Sequence, residues 1–172
     1  LLDFLGAVWY TKNMTNEEAA YIAGIIDGEG TISIHLKTIV SHRKHYHAWE
    51  YYTSLTLTDE GFLKTIKDIV NQGKSFVRDN PRNLKGRASP SFRIKWSGSR
   101  CIALLKEIRP YLRLKSKHAD IILSFAESQE QAQSQRSGQG HRYPDWIHNL
   151  ARDIEREIRK LNARGIDKQS QF

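Results

Sequence analysis

Three segments of this chain alternate between apolar and polar residues, and this period of two constrains the fold more than any other feature. The segments cover residues 31–37, 50–58 and 91–96. Such alternation is typical of β-strands that bury one face and leave the other in solvent. A basic, histidine-rich stretch at 41–47 joins the first two segments, and a short strand-like segment at 76–80 followed by a Pro- and Gly-containing loop precedes the third. The sequence therefore predicts two antiparallel hairpins.

Apolar residues recur at helical spacing before, between and after the hairpins. Thr15 and Glu18 have the spacing of a capping box, and the small and apolar residues after them predict a helix to about Gly28. Further helices are predicted for residues 62–70, 99–108, 115–127 and 144–162. The order αββαββα predicts an α+β fold, with helices packed on one face of a four-stranded antiparallel sheet.

The chain is about the size of one ordinary domain, with 172 residues of which 39% are hydrophobic. We expect an N-terminal extension at 1–14, a core at 15–127, a flexible Gln/Ser/Gly linker at 128–143, and a C-terminal helix and tail at 144–172 that packs on the core. The opening residues lack the basic region of a signal peptide and are too few to span a membrane. We therefore expect an intracellular protein that is not secreted and has no membrane partner.

The polar faces of the two hairpins are basic, and the chain carries a net charge of +8 from 27 Lys and Arg against 19 Asp and Glu. Such a face suits double-stranded DNA, because two β-ribbons fit into a major groove. A solvated face would show the same alternation, but it would not explain basic tips on both hairpins. With Lys117 added as a phosphate contact, the predicted DNA-binding residues are Ser33, His35, Lys37, Arg43, Lys44, Tyr52, Ser54, Thr56, Arg78, Asn80, Arg82, Arg93, Lys95 and Lys117.

One face of the first helix carries small residues. Ala20, Ala23, Gly24 and Asp27 share this face, whereas Tyr21 and the isoleucines near it are expected in the protomer's own core. Glycine inside a helix costs about 0.8 to 1 kcal/mol relative to alanine, which a close helix–helix contact would explain. Packing of the stripe against the same protomer is the alternative. We expect Ala20, Ala23, Gly24 and Asp27 to form a homodimer interface.

Residues 22–30 read Ile-Ala-Gly-Ile-Ile-Asp-Gly-Glu-Gly. This segment resembles the nonapeptide of the LAGLIDADG homing endonucleases. The segment 110–117, Pro-Tyr-Leu-Arg-Leu-Lys-Ser-Lys, is similar to a second stretch of that family. The resemblance covers roughly residues 17–127, and one copy of the motif implies the single-motif type that works as a homodimer.

The resemblance implies a site-specific endonuclease, encoded within an intron or an intein-like element, that makes a metal-dependent double-strand break with short 3′ overhangs in a long pseudo-palindromic target. The family's acidic metal ligand falls on Glu29, with Gly28 beside it, and implies Mg²⁺ or Mn²⁺. Lys115 matches the family lysine near the scissile phosphate. Asp59 stands where many members carry a glutamine that orients water, so we expect it in the catalytic site as well. Elementary chemistry agrees for Glu29, because the negative end of a helix favours a nearby cation and carboxylate oxygens suit Mg²⁺.

Other functions remain open at this stage. An RNA maturase or a non-cleaving DNA-binding protein of the same fold would keep the sheet, but it has no need for a carboxylate aimed at phosphate. An RNA-binding sheet of the RRM type would expose stacking aromatics, whereas Phe92 and Trp96 fall on the apolar face.

Two kinds of ligand site are disfavoured by the sequence. The histidines at 42, 45 and 47 have no cysteine partners, which disfavours zinc. The pair Gly28 and Gly30 lacks the third glycine of a dinucleotide fingerprint, so no nucleotide cofactor is expected.

The family resemblance also bears on location. It implies that the protein is synthesised in an organelle or in an archaeal cytoplasm.

Overall fold

The computed structural model describes residues 13–41, 44–70, 76–78, 91–134 and 143–163. Five α-helices and four β-strands form in this part of the chain, with a single 3-10 turn at Arg109–Tyr111. In chain order the elements are α1 (Asn16–Glu29), β1 (Gly30–Ser41), β2 (Lys44–Leu57), α2 (Glu60–Val70), β3 (Phe76–Arg78), β4 (Phe92–Ser97), α3 (Ser99–Ile108), α4 (Ser116–Ser134) and α5 (Asp145–Ala163).

Helix α1 has well-defined ends. The Thr15 hydroxyl accepts a hydrogen bond from the Glu18 backbone N–H, and the Glu18 carboxylate accepts one from the Thr15 backbone N–H, so the capping box is confirmed. Gly30 ends the helix with φ −81°, which any residue can adopt. A Cβ at this position would nevertheless lie 2.8 Å from the Cα and the carbonyl oxygen of Ile26. Close approach to the preceding turn therefore explains glycine at the helix end.

The strands form one antiparallel sheet in the order β1-β2-β4-β3. Strands β1, β2 and β4 supply most of it, because β3 contributes only three residues. Directly paired residues share a face, so Ile32, Leu55 and Ile94 lie on one face and are buried, while the residues between them lie on the other. The prediction that one face is apolar and the other polar is confirmed, and Trp96 is fully buried on the apolar face.

The helices cover the apolar face. Strand β4 contacts α2 and α3, and strand β1 contacts α1, α4 and α5. Hydrogen bonds outside the regular ladders also join distant elements, among them Trp49 of β2 to His148 of α5, His118 of α4 to Asn162 of α5, and the Met14 backbone N–H to Glu107 of α3. Among the described helices, none is long and apolar enough to cross a membrane.

The only cysteine lies in this core. Cys101 is fully buried, and its Sγ lies 3.4 Å from the hydroxyl of Thr53. Burial raises the pKa of the Cys101 thiol to about 12, although the contact with Thr53 lowers it in part. The thiol therefore stays protonated and serves as a small apolar side chain.

Two boundary predictions and one core prediction were wrong. Helix α4 continues to Ser134, so residues 128–134 are helical and not linker. Gln, Glu and Ala are good helix formers, and the fully buried Ala132 holds this last part of α4 to the core. The strands of the first hairpin extend to Ser41 and resume at Lys44, well into the segment predicted as a turn. Finally, Tyr21 is 48% exposed and does not belong to the core.

Candidate nucleic-acid interface and candidate metal centre

The polar face of the sheet forms an open groove of about 360 Å³. Because the two hairpin registers place polar residues opposite one another, side chains from three strands converge there. Most of the predicted DNA-binding side chains that the structure describes are brought together in this way. The lining residues are Thr31, His35, Tyr52, Ser54, Thr56, Arg93 and Lys95.

An ion-pair network occupies one end of this face. Glu50 binds Lys37 through Oε1 at 3.0 Å and Lys95 through Oε2, and the Nε2 of His35 lies 3.5 Å from Oε2. Burial pushes the pKa of the Glu50 carboxyl upward, but the hydrogen bonds and charges of Lys95 and Lys37 outweigh it, and the pKa is lowered. Glu50 is therefore an ionised carboxylate at neutral pH. It was not among the predicted site residues, although its position on the polar face, opposite His35, could have revealed it.

Tyr52 organises the neighbouring side chains. The Lys95 ammonium lies 4.4 Å above the centre of its ring, and the His35 ring meets it edge to face at 5.2 Å. Burial and the nearby Lys95 charge lower the pKa of His35, so its imidazole is neutral at neutral pH. Further along the face, Arg93 Nε donates to the Thr56 hydroxyl at 3.1 Å.

A second cluster lies at the C-terminal end of α1. The Asp27 carboxylate accepts hydrogen bonds from the backbone N–H groups of Arg113 and Lys115 at 2.6 and 2.8 Å. The Lys115 ammonium in turn donates to the carbonyl oxygens of Ile26 and Asp27. It thus provides the cation expected at the negative end of the helix. Burial lowers the pKa of Lys115, against the opposing charges of Asp27 and Glu29.

Glu29 is exposed at this same helix end, two residues before Thr31 of the groove. Within the described part of the chain, no hydrogen bond or ion pair engages its carboxylate. No group of three or more His, Cys, Asp or Glu side chains among the described residues is placed to hold a metal ion. Among the described residues, the end of α1 therefore offers the Glu29 carboxylate and the neighbouring backbone carbonyl of Gly28. This donor set fits Mg²⁺, because Mg²⁺ commonly takes one or two carboxylates and completes its shell with phosphate oxygens and water.

Asp59 and Lys117 form contacts that differ from the roles predicted for them in the site. The Asp59 carboxylate accepts a hydrogen bond from the Phe62 backbone N–H at 2.9 Å, so it is the N-cap of α2. An N-cap signal three residues before Phe62 was overlooked in the sequence. Lys117 forms an ion pair with Glu157 of α5 at 3.0 Å and does not line the groove.

Five predicted DNA-binding residues cannot be placed as side chains. Arg43, Asn80 and Arg82 lie outside the described residues, and Lys44 and Arg78 are described only in their backbone. In the sheet register, Arg78 pairs with Phe92 and Val77 pairs with Arg93. Position 78 therefore lies on the same face as Phe92, which departs from the prediction that it shares a face with Arg93.

The small residues of α1 divide between two environments. Ala20 and Gly24 are exposed, together with Gly28, and a Cβ added to either glycine would meet nothing within 4 Å. Ala23 is fully buried in the protomer's own core, which contradicts its place in a dimer interface. Ala20, Gly24 and Gly28 therefore form an exposed stripe of α1, and Ala23 lies beside this stripe on the buried side of the helix. Asp27 is engaged with its own chain, as described above.

Comparison with known proteins links this geometry to one family. The chain is 29% identical over 108 residues to the DNA endonuclease I-CreI of Chlamydomonas reinhardtii, a match that covers 62% of this chain and 61% of that protein. No protein-family model matches. The chain thus matches less than two thirds of the length of this curated relative.

Solved structures resemble the chain over more of its length. The homing endonuclease I-CvuI in complex with its target in the presence of Ca has a TM-score of 0.52 and 16% identity, over 86% of this chain and 96% of that one. The LAGLIDADG homing endonuclease I-GzeII in complex with a DNA target has a TM-score of 0.57 and 15% identity, over 80% of this chain and 43% of that one. The predicted resemblance is therefore confirmed: the chain has the α+β fold of the LAGLIDADG homing endonucleases.

Proposed function

We propose that this protein is a single-motif LAGLIDADG homing endonuclease, a phosphodiester hydrolase that makes a metal-dependent double-strand break in a long pseudo-palindromic DNA site. The observation that carries the proposal is the exposed Glu29 carboxylate together with the fixed Lys115 ammonium at the end of α1, beside the polar groove. The similarity to a DNA endonuclease supports the same reading. The family leads us to expect short 3′ overhangs.

The residues at the α1 end have distinct roles in this proposal. Glu29 and the Gly28 carbonyl would hold Mg²⁺ or Mn²⁺, which activates water and neutralises charge on the scissile phosphate. Asp27 fixes the backbone of 113–115, so that Lys115 keeps its place at the helix end. A cation held in this way, beside Glu29, would stabilise negative charge that develops on the phosphate.

The polar face is proposed to bind the DNA. It carries Lys37, Lys95 and Arg93 among neutral hydrogen-bonding side chains, and cationic side chains of this kind suit the acceptor atoms of guanine in a major groove. We propose that β3 extends this surface as the outer strand of a four-stranded DNA-binding sheet. The solved structures contain I-CvuI in complex with its target and I-GzeII in complex with a DNA target. They support DNA as the partner of a chain with the same fold.

We also propose that the active species is a homodimer paired through the exposed stripe of α1. Two glycines in this stripe, Gly24 and Gly28, have no neighbour among the described residues that requires glycine. Each costs helix stability by about 0.8 to 1 kcal/mol relative to alanine, so a contact outside the protomer best explains them. A two-fold pair brings two Glu29 carboxylates together, and a double-strand break needs a reactive site for each strand.

The experiment for cleavage uses a library of randomised duplexes with and without Mg²⁺, and sequencing of the cut ends reports both site and overhang. Wild type should cut only with the divalent cation. Glu29→Gln should abolish cutting while specific binding stays within about tenfold, because the carboxylate serves metal chemistry and not sequence reading. Asp68→Asn, at an exposed carboxylate on α2, is the matched control and should cut normally. Cleavage at the wild-type rate by Glu29→Gln would refute the assignment.

The experiment for assembly is sedimentation of the protein on its target. Gly24→Leu places bulk in the exposed stripe, so we expect the dimer to dissociate and cleavage to be lost although Glu29 is intact. Asn149→Leu, at an exposed position of α5, should remain dimeric. An active Gly24→Leu monomer would contradict the arrangement.

The same experiments distinguish cleavage from the alternative functions. An RNA maturase or a non-cleaving DNA-binding protein of this fold would bind nucleic acid yet leave all duplexes intact with Mg²⁺.

We further propose that the protein acts inside the cell, in an organelle or an archaeal cytoplasm where intron-encoded proteins are made.

A further inference from the structure

We infer that Glu50 is a specificity-determining positioning residue: it holds Lys37 and Lys95 at fixed places on the sheet face, so that they meet base edges and not phosphates. The inference rests on the proposed DNA-binding function. Among the described side chains of the polar face, Glu50 is the one carboxylate. A negative charge on a surface that meets a polyanion weakens binding, so its presence calls for another role.

The geometry shows how Glu50 restrains both lysines. It lies on β2 between the two strands that carry them, and each carboxylate oxygen accepts a hydrogen bond from one ammonium. The Lys95 side chain passes over the Tyr52 ring to reach Glu50, although Lys95 itself pairs in register with Ser54. Only 17% of the Glu50 side chain is exposed, against 49% for Lys37 and 28% for Lys95. The carboxylate therefore lies beneath two ammonium groups that remain open to a ligand.

Fixed lysines differ from free lysines in what they can recognise. Lysine is a flexible point charge, and an unrestrained lysine finds phosphate oxygens on any sequence. A lysine held at one place above the groove meets a defined position of the duplex, where guanine offers O6 and N7 acceptors. Glu50 also cancels one of the two lysine charges, which reduces the attraction to phosphates that any sequence provides.

The test compares wild type with Glu50→Gln, which keeps the shape of the side chain and removes its charge. Binding is measured in Ca²⁺ by selection from a randomised duplex library and by titration of a non-specific duplex over a salt series. We expect preference at one or two base-pair positions in each half-site to fall about fivefold to fiftyfold. Non-specific affinity should rise about threefold to tenfold, with a salt slope steeper by about one to two counterions, because both lysines become free to bind phosphates.

Glu60→Gln is the matched control, since Glu60 pairs with Lys64 on α2, away from the groove, and should change neither preference nor slope. A double-mutant cycle with Lys37→Met and Lys95→Met identifies the route of the effect. If Glu50 acts through the lysines, Glu50→Gln should add little in the Lys37→Met/Lys95→Met background. If Glu50→Gln lowers the preference in that background by as much as it does in wild type, Glu50 reads a base itself. That result would overturn the inference.

Two further outcomes are decisive and are distinguishable from each other. If wild type shows no sequence preference at all, the proposed function fails. If wild type is selective and Glu50→Gln keeps the same preference and salt slope, only the positioning role fails. A change in thermal stability alone, without a change in selectivity, would likewise assign Glu50 a purely structural role.

Discussion

The end of α1 and the polar face of the sheet both place charged side chains at a surface, but they are held in different ways. At the end of α1, side chains bind backbone groups: Asp27 accepts from two backbone N–H groups, and Lys115 donates to two carbonyl oxygens. On the sheet, side chains bind one another, as Glu50 does with Lys37 and Lys95. Backbone partners are fixed by the fold, whereas side-chain partners change with each substitution.

Because of this difference, we expect the end of α1 and the polar face of the sheet to tolerate substitutions to different degrees. The α1 end can vary little, because its donors and acceptors belong to the helix and to the segment before α4. The sheet face can be rebuilt by exchanging residues within the same alternation, which alters its polar side chains without altering the strands. In the proposed function, the chemistry would depend on the backbone-held region, and base recognition would depend on the region that can be exchanged. The four substitutions below test this contrast.

The largest effect is expected for Asp27→Ala. Two backbone N–H groups lose a charged acceptor, so the free energy of unfolding should fall by about 2 to 4 kcal/mol. Cleavage should fall at least about a hundredfold, because Lys115 loses its fixed place. Chemical denaturation and single-turnover cleavage measure the two effects. Asp153→Ala removes an exposed pair with Arg156 and should change stability by less than about 0.5 kcal/mol. A similarly small loss for Asp27→Ala would remove the distinction between the two regions.

Gly30→Ala tests the packing behind the α1 end. The new Cβ would lie 2.8 Å from backbone atoms of Ile26, so we expect a loss of about 2 to 3 kcal/mol in the free energy of unfolding. Gly24→Ala is the matched control, since nothing lies within 4 Å of its added Cβ. Measured at low protein concentration, where the copies are separate, it should stabilise the protomer by up to about 1 kcal/mol. Equal effects of the two substitutions would contradict the close approach at Gly30.

Arg93→Ala tests the replaceable region. Removal of the guanidinium should weaken specific binding by about 1 to 3 kcal/mol and relax the preference at one base-pair position in each half-site. Thermal stability should hardly change, because the Arg93 side chain is exposed and the contact with Thr56 lies at the surface. Selection from randomised duplexes and a melting curve measure these effects. A uniform loss over all sequences would make Arg93 a phosphate contact.

The smallest effect is expected for Asp59→Ala. Loss of the N-cap of α2 should lower the free energy of unfolding by about 1 kcal/mol. Cleavage per folded molecule should stay within a few fold of wild type. Asp59→Ser keeps a capping oxygen and should recover most of the stability. If Asp59→Ser were stable but inactive, the catalytic role predicted from the sequence would be restored.

The sequence predicted the architecture well where periodicity is strong. The helix of residues 16–29, the alternating strands and the burial of Trp96 all follow from local patterns. It failed where the outcome depends on distant partners. Composition suggested a linker at 128–143, but residues 128–134 belong to α4, where the buried Ala132 packs on the core. Ala23 and Gly24 have similar size, and only the packed structure separates the buried one from the exposed one.

The candidate site was predicted in part for the same reason. The two family motifs predicted Glu29 and Lys115, which the structure places at the same helix end, and the alternation predicted the polar face. The network around Glu50 was missed, because its contact with Lys95 joins residues far apart in the sequence and depends on the order β1-β2-β4-β3. Asp59 was predicted as a catalytic residue from its position in the family pattern. Its place three residues before Phe62, at the start of a predicted helix, already indicated an N-cap.

The buried, protonated thiol of Cys101 has a practical consequence for spectroscopy. Since the chain contains no other cysteine, a cysteine introduced at an exposed position such as Lys64 would be the single thiol open to maleimide reagents. Each copy would then carry one spin label or fluorophore at a known place. Distances between two such labels would test the proposed arrangement of two copies on DNA, without removal of the native cysteine.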